Sequence, residues 1–367
     1  VYDNWELCIA DGGPTASDTR KVLREYSDLD SRITVKLLSE NMDISGNSNQ
    51  ALKMASGEFV GFLDHDDELA QNALYEVVKL LNGQQDLEII YSDNDKIDEN
   101  RFRKDPFFKP DWSLPFLLST NYPFHLLICK TSLVKKIGGL RREYDGAQDY
   151  DFILRMIQHT KPERIGHIQK VLYHWRVTKS SSASGRSAKP YAYEAGRQAL
   201  HSYLVRRGIE AEVFELEPGS YRVKCALQCQ PQVGVVLISQ NSESKDYTKF
   251  IRSLVAFSTY SIKRIYVPKS PKEKCKGLCI VDYLESFTKL YELLQGDTLE
   301  YLIFVDFDEL SHNPVSFRKD WIEALLEQYV LFGSGVVGTG SPMFGNVVHS
   351  IYRPCGPIFC VASSIFG

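Results

Sequence analysis

Residues 59–69 and 301–310 share one arrangement, an apolar stretch running straight into carboxylates, and this repeat constrains the fold more than any other feature. In the first copy Phe59-Val60-Gly61-Phe62-Leu63 leads into Asp64, Asp66, Asp67 and Glu68. In the second, Tyr301 to Val305 leads into Asp306, Asp308 and Glu309, so Asp306 stands 242 positions after Asp64. Such apolar runs predict strands buried on both faces, as in a parallel sheet. Helical spacing follows each, over Leu69–Leu81 and Phe317–Tyr329. Ligands of open α/β sheets bind beyond the carboxyl ends of the strands, which is where these acids lie.

Residues two apart on an extended chain point the same way, so Asp64 and Asp66 are expected to face one object. Crowded carboxylates raise one another's pKa unless a cation lies between them. An oxygen-only donor set suits Mg²⁺ or Mn²⁺, which keep waters and bridge to phosphates. The stretch therefore reads as a metal–diphosphate platform, with a solvated acidic turn after a core strand as the plain alternative.

Other elements supply further acids and amides. Trp5–Ala10 predicts a strand ending at Asp11 and the Gly12-Gly13-Pro14 turn. A helix over Ser17–Tyr26 and a strand over Ile33–Leu38 follow. The polar segment Asn41–Ala51 reads as a loop feeding a short helix, whose backbone N–H groups suit an anion. Leu87–Tyr91 predicts a strand, and the aromatic, proline-rich stretch Asp105–Ser119 fits the wall of a pocket. Gly146 to Asp151 opens a helix, where Asp149 and Asp151 equally suit capping by the macrodipole. Ile168–Trp175 predicts a strand ending in His174-Trp175-Arg176, and the serine-rich stretch 179–188 has linker composition. Pro190 then opens a helix to Arg207.

Beyond Pro231 the pattern restarts with Val233–Ser239. Ile262–Pro268 aligns with Trp5–Asp11, which puts Pro268 where the first copy has Asp11. Because the first copy has no counterpart of Val233–Phe257 and the second none of Gly146–Asp151, the chain reads as a fragment cut at both ends. A net charge of −4 gives no case for nucleic-acid binding. No apolar run of about 18 residues suggests a transmembrane helix. Eight cysteines are too few for a disulfide scaffold of this length and point to reduced thiols.

In their order and spacing, Ile9-Ala10-Asp11-Gly12-Gly13, Asn47-Ser48-Asn49, Phe62-Leu63-Asp64-His65-Asp66-Asp67, Gly138-Gly139-Leu140-Arg141, Gln148-Asp149-Tyr150-Asp151 and Tyr173-His174-Trp175-Arg176 resemble glycosyltransferase family 2. The tandem arrangement is similar to bacterial enzymes that build O-antigen, capsule or cell-wall glycans. The resemblance implies an α/β GT-A fold, Rossmann-like, with a mostly parallel sheet and helices on both faces. It implies two tandem copies, over residues 1–225 and 233–367 with a linker at 226–232. The first lacks its opening βα unit, and the second is truncated at its C-terminal end.

The same resemblance implies an inverting transfer from a nucleotide-diphosphate sugar to a hydroxyl of a glycan or lipid-linked glycan. It makes Asp149 the general base, places Asp11, Asn49, Asp64, His65, Asp66 and Arg176 at the donor, and gives Mg²⁺ or Mn²⁺ to Asp66, Asp64 and His174. It implies a cytoplasmic protein, peripheral at the inner membrane, with no nucleic-acid partner. Two positions depart from the family pattern. Ser48 replaces a commonly basic residue, and Gln148 replaces the usual acidic neighbour of Asp149. Two other classes stay in view. A Mg²⁺-dependent phosphotransferase with Asp64 as nucleophile normally carries its motif on the first strand, and at least two strands precede it here. A non-catalytic sugar-binding module suits the second copy, because of Pro268.

Overall fold

The structure is a computed structural model. It describes residues 2–13, 17–177, 190–227, 229–239, 247–268, 280–283, 298–306, 319–332, 336–338 and 350–352. The stretch 179–188 and the acids Asp308 and Glu309 lie outside the described residues. The chain divides into two compact units, Val1–Val223 and Lys224–Gly367.

The first unit opens with a parallel pair, β1 (Leu7–Asp11) and β2 (Ile33–Leu37), separated by helix α1 (Ser17–Leu29). Asn41–Ala51 is largely helical, because α2 (Asp43–Leu52) begins two residues into it. The expected strand over 59–63 stops at Gly61 as β3 (Phe59–Gly61), and it is half-buried rather than covered on both faces. Its position explains this, since β3 is the edge of its sheet and pairs only with β7 (Leu127–Lys130). After it comes a two-residue strand, β4 (Glu68–Leu69), and only then helix α3 (Ala73–Gly83), which keeps Gly83 within its last turn.

The sheet is built on β5 (Ile89–Ile97), which runs straight through Ser92–Lys96 instead of ending at Tyr91. In order it reads β3-β7-β5-β8-β4, where β8 is Ile165–Arg176, and β6 (Arg103–Phe107) pairs with β5 off this path. The expected mostly parallel pairing is therefore mixed. β5 and β8 are parallel, whereas β3–β7, β5–β7, β4–β8 and β5–β6 are antiparallel. The β5-to-β8 connection is a long crossover, as parallel neighbours need, and it carries α4 (Leu114–Leu117), α5 (Thr131–Ile137) and α6 (Gln148–Met156).

Ala73 and Val77 of α3 pack with Leu87, Ile90, Leu126, Ile128, Ile168, Leu172 and Tyr173. Each such side chain contributes about 1.5–3 kcal/mol when taken out of water. α5 ends at Gly138 in the left-handed conformation (φ 78°), where a residue with Cβ is strained. In α6, Phe152, Ile153 and Leu154 are fully buried, which fixes the polar first turn of that helix relative to the core. Helix α7 (Pro190–Arg206) and the hairpin β9 (Ala211–Glu217) and β10 (Ser220–Cys225) complete the unit.

In the second unit, β11 (Val233–Ile238) lies between β12 (Ile262–Val267) and β14 (Tyr301–Asp306), all parallel, with β13 (Ile280–Tyr283) beyond β12. Two antiparallel strands, β16 (Ser350–Tyr352) and β15 (Val336–Gly338), close its other edge. β11 is buried on both faces, with Val233, Val235 and Leu237 in one core and Val236 in the other, as a central parallel strand requires. Helices α8 (Thr248–Phe257) and α9 (Trp321–Phe332) supply Phe250, Ile251, Ile322 and Leu325 to the larger core.

Candidate active site

The Asp64–Asp67 segment is a tight turn, closed by the Asp67 N–H donating to the Asp64 carbonyl at 3.1 Å. The extended geometry expected to align Asp64 with Asp66 is absent, and the turn itself gathers the carboxylates. Tyr173 and Arg176, both on β8, brace it. The Tyr173 hydroxyl donates to Asp67 Oδ2 at 2.5 Å and accepts from the Asp64 N–H at 3.3 Å. The Arg176 N–H donates to Asp67 Oδ1 at 2.7 Å, its Nε donates to the Asp66 carbonyl at 2.7 Å, and its Nη2 pairs with Glu68. Arg176 thus gives most of its donors to the turn and holds it in shape. Burial raises the Asp67 carboxyl, and the Tyr173 and Arg176 donors pull it back down.

Asp67 and Glu68 are engaged by Tyr173 and Arg176. Asp64 is exposed and Asp66 half-buried. Among the described residues, no side chain donates a hydrogen bond to the Asp66 carboxylate, and no three His, Cys, Asp or Glu side chains gather as a cation site. A donor set of one or two carboxylate groups fits Mg²⁺ or Mn²⁺, whose remaining positions go to water and substrate phosphate. His174 meets Asp95 Oδ1 through Nδ1 at 2.5 Å, and Asp95 also takes Arg103 Nε at 2.5 Å. His65 is exposed at the turn.

Asp149 comes from the first turn of α6, yet it shares an electrostatic environment with Asp64, 85 positions earlier in the chain. Burial pushes its carboxyl up to about 6 and the Asp64 charge adds to the rise, while the Tyr150 N–H (2.9 Å) and the Asn121 amide (2.9 Å) act against it. The fold therefore brings Asp67, Tyr173 and Asp149 each within the field of Asp64. Asp151 proves structural: it is fully buried and paired with both Arg141 and Arg155, rather than capping α6. Gln148, in place of an acid, accepts from the Gly146 N–H at 2.8 Å. Gly146 (φ 103°) has no room for a side chain, since a Cβ there would stand 2.7 Å from Tyr191.

Asp11 sits at the end of β1, buried, with Arg20 Nε 3.4 Å away. The next residue, Gly12, packs so closely on Asn47 that an added Cβ would lie 2.4 Å from its Nδ2. Asn47 and Asn41 line a cavity of about 580 Å³ that continues to Asp43, Arg142, Gly146 and Tyr191. The start of α2, expected to offer N–H groups to an anion, already holds one of the protein's own: Asp145 Oδ1 accepts from the Ser45 N–H at 3.1 Å. Asn49 is likewise committed, its amide exchanging two hydrogen bonds with the Leu140 backbone at 2.8 and 2.9 Å.

Sequence reasoning missed Asn121, the Tyr173–Asp67 brace and the buried set Asp93, His167 and Lys109. His167 Nε2 meets Asp93 Oδ1 at 2.9 Å, the Lys109 N–H donates to the same oxygen at 3.0 Å, and burial lowers the Lys109 ammonium to about 7. The acidic run after Leu87–Tyr91 and Lys109 within the stretch Asp105–Ser119 are the signals that set leaves in the sequence. Asn121 carried none.

Residues 1–138 match the family described as Glycosyl transferase family 2. The chain is 40% identical over 256 residues to the uncharacterized protein y4gI of Sinorhizobium fredii, covering 69% of this chain and 28% of that protein. It is 37% identical over 255 residues to the O-antigen biosynthesis protein RfbC of Myxococcus xanthus, covering 70% of this chain and 20% of the other. The structure of S. aureus TarS 1-349 superposes with a TM-score of 0.40 at 21% identity, over 52% of this chain and 54% of that one. The chain thus spans under a third of the length of these two curated relatives. The first unit, which contains the matched residues 1–138, is a mixed α/β domain.

Proposed function

We propose that the first unit transfers a sugar from a nucleotide-diphosphate donor to a glycan hydroxyl with inversion, with Asp149 as general base. The observation that carries this reading is the Asp149 carboxyl, raised to about 6 beside the acidic turn that starts at Asp64. A base with a pKa just under the working pH is mostly ionised there, yet still accepts a proton readily. Asp149 takes the proton of the acceptor hydroxyl as that oxygen attacks the anomeric carbon. The bond to the nucleotide diphosphate breaks on the opposite face, so the configuration inverts. General-base assistance of this kind is worth about 10²–10⁴-fold.

Asp66 and Asp64 would hold the Mg²⁺ or Mn²⁺ ion, which offsets the charge of the departing diphosphate. The cavity beside Gly12, with Asn41, Asn47 and Arg142 in its wall, is the place for the rest of the donor. The resemblance to O-antigen enzymes supports a glycan or lipid-linked glycan as acceptor and the cytoplasmic face of the membrane as the place of action. Among the described residues, no helix is long and apolar enough to cross a membrane.

The second unit fits a further GT-A-like copy that binds without turnover, since Pro268 stands where the first has Asp11. The test is a titration of nucleotide sugars, with and without Mn²⁺, into wild type, Asp66→Ala and Asp149→Asn. Asp149→Asn is expected to bind donor and lose transfer, and Asp66→Ala to lose the Mn²⁺-dependent part of binding. Transfer by Asp149→Asn within tenfold of wild type rules the reading out.

A further inference from the structure

We infer that Asn121 is the positioning residue for Asp149, fixing the direction in which its carboxylate meets the acceptor hydroxyl. The inference rests on the reading of Asp149 as base. Asn121 Nδ2 donates to Asp149 Oδ2 at 2.9 Å across 28 positions of sequence. The carbonyl of the same amide, Asn121 Oδ1, is buried and has no hydrogen-bond partner among the described residues. A buried acceptor left unpaired costs stability, so this amide is not kept to hold its own loop together. What it provides is one charge-assisted hydrogen bond to the carboxylate. Turning the amide over would set carbonyl oxygen against carboxylate oxygen, so ionised Asp149 selects the observed orientation.

The loop is held from both sides, as a positioning role requires. Before Asn121, the Ser119 carbonyl accepts from the Tyr221 N–H at 2.8 Å and Thr120 bridges to Ser220. After it, the Tyr122 hydroxyl accepts from the Ser113 N–H at 2.9 Å. The buried Lys109 ammonium donates to the Pro123 carbonyl at 3.2 Å and the His125 carbonyl at 2.5 Å. Neither clamp uses the Asn121 side chain, so its amide can be replaced without releasing the loop.

Two measurements test this. In the first, transfer by Asn121→Ala is followed against pH, using the donor and acceptor that support wild-type turnover. The expected result is a kcat lower by about 10–100-fold, a donor KM within about twofold, and an acidic limb moved up by about one pH unit. Asn121→Asp, nearly the same size, is slower still because its own charge repels the base, and far-UV circular dichroism checks that both variants fold. In the second, ¹⁵N NMR of the full chain in chelator follows the Asn121 side-chain amide. Its two proton resonances are widely separated in wild type and draw together in Asp149→Ala. A wild-type kcat and pH limb in Asn121→Ala overturn the inference, as does an amide indifferent to Asp149→Ala. If no nucleotide sugar supports turnover, the glycosyl-transfer reading fails, and the amide measurement still decides the place of Asn121.

Discussion

Removing the Asp149 charge is expected to stabilise the protein while stopping its chemistry. The carboxyl sits at about 6 instead of an ordinary 3.8, because burial disfavours its ionised form and the Asp64 charge adds to that. A group raised on folding contributes stability that is complete below its unfolded pKa and is lost as pH climbs through its folded one. Wild type therefore carries a penalty that grows between pH 3.8 and about 6 and amounts to about 3 kcal/mol by pH 7. Asp149→Asn removes it. The new amide keeps a carbonyl for the Tyr150 N–H, and Asn121 can turn over to accept from its NH₂ group. For a unit of this size about 3 kcal/mol corresponds to roughly 6–12 °C in melting temperature, an upper bound. Thermal melts of both proteins across pH provide the assay. The gap should be full at pH 8, shrink through pH 6 and vanish by pH 4. Equal melting temperatures at pH 8, or a gap independent of pH, would refute the reasoning.

Other substitutions probe the supports of the site. Arg155→Met strips one of two arginines from the fully buried Asp151 and should cost about 3–5 kcal/mol in urea unfolding, because it strands a buried charge; a loss below 1 kcal/mol would show that Arg141 suffices alone. Tyr173→Phe removes the hydroxyl between Asp64 and Asp67 and should cost about 1–3 kcal/mol, with weaker Mn²⁺ binding by calorimetry. Gly139→Ala forces Cβ within 2.4 Å of Asn49 Oδ1 at a φ of 75°, so a loss of about 1–3 kcal/mol is expected in the same unfolding assay.

Much of the site was legible in the sequence because strand ends and helix starts are local events. Asp11 at the end of β1, the acidic turn after β3 and Asp149 in the first turn of α6 follow from apolar runs meeting polar ones. What periodicity cannot show is which side chains are consumed by the protein itself. Asn49 and Arg176 look like ligand residues as letters, yet they are engaged by partners 91 and 109 positions away. Pairing direction was equally hidden, since an apolar run reads the same at a sheet's edge as at its centre. β3 was read as a central strand, and the structure places it at the edge. Asn121 shows the limit most clearly: its role depends on a single hydrogen bond that no spacing announces.

The stereochemistry of the product tests the central claim most directly. With the nucleotide sugar that supports turnover, ¹H NMR of the purified glycoside reads the anomeric coupling before any later equilibration. Direct displacement assisted by Asp149 predicts the configuration opposite to that of the donor. A product with the donor's configuration retained would contradict it.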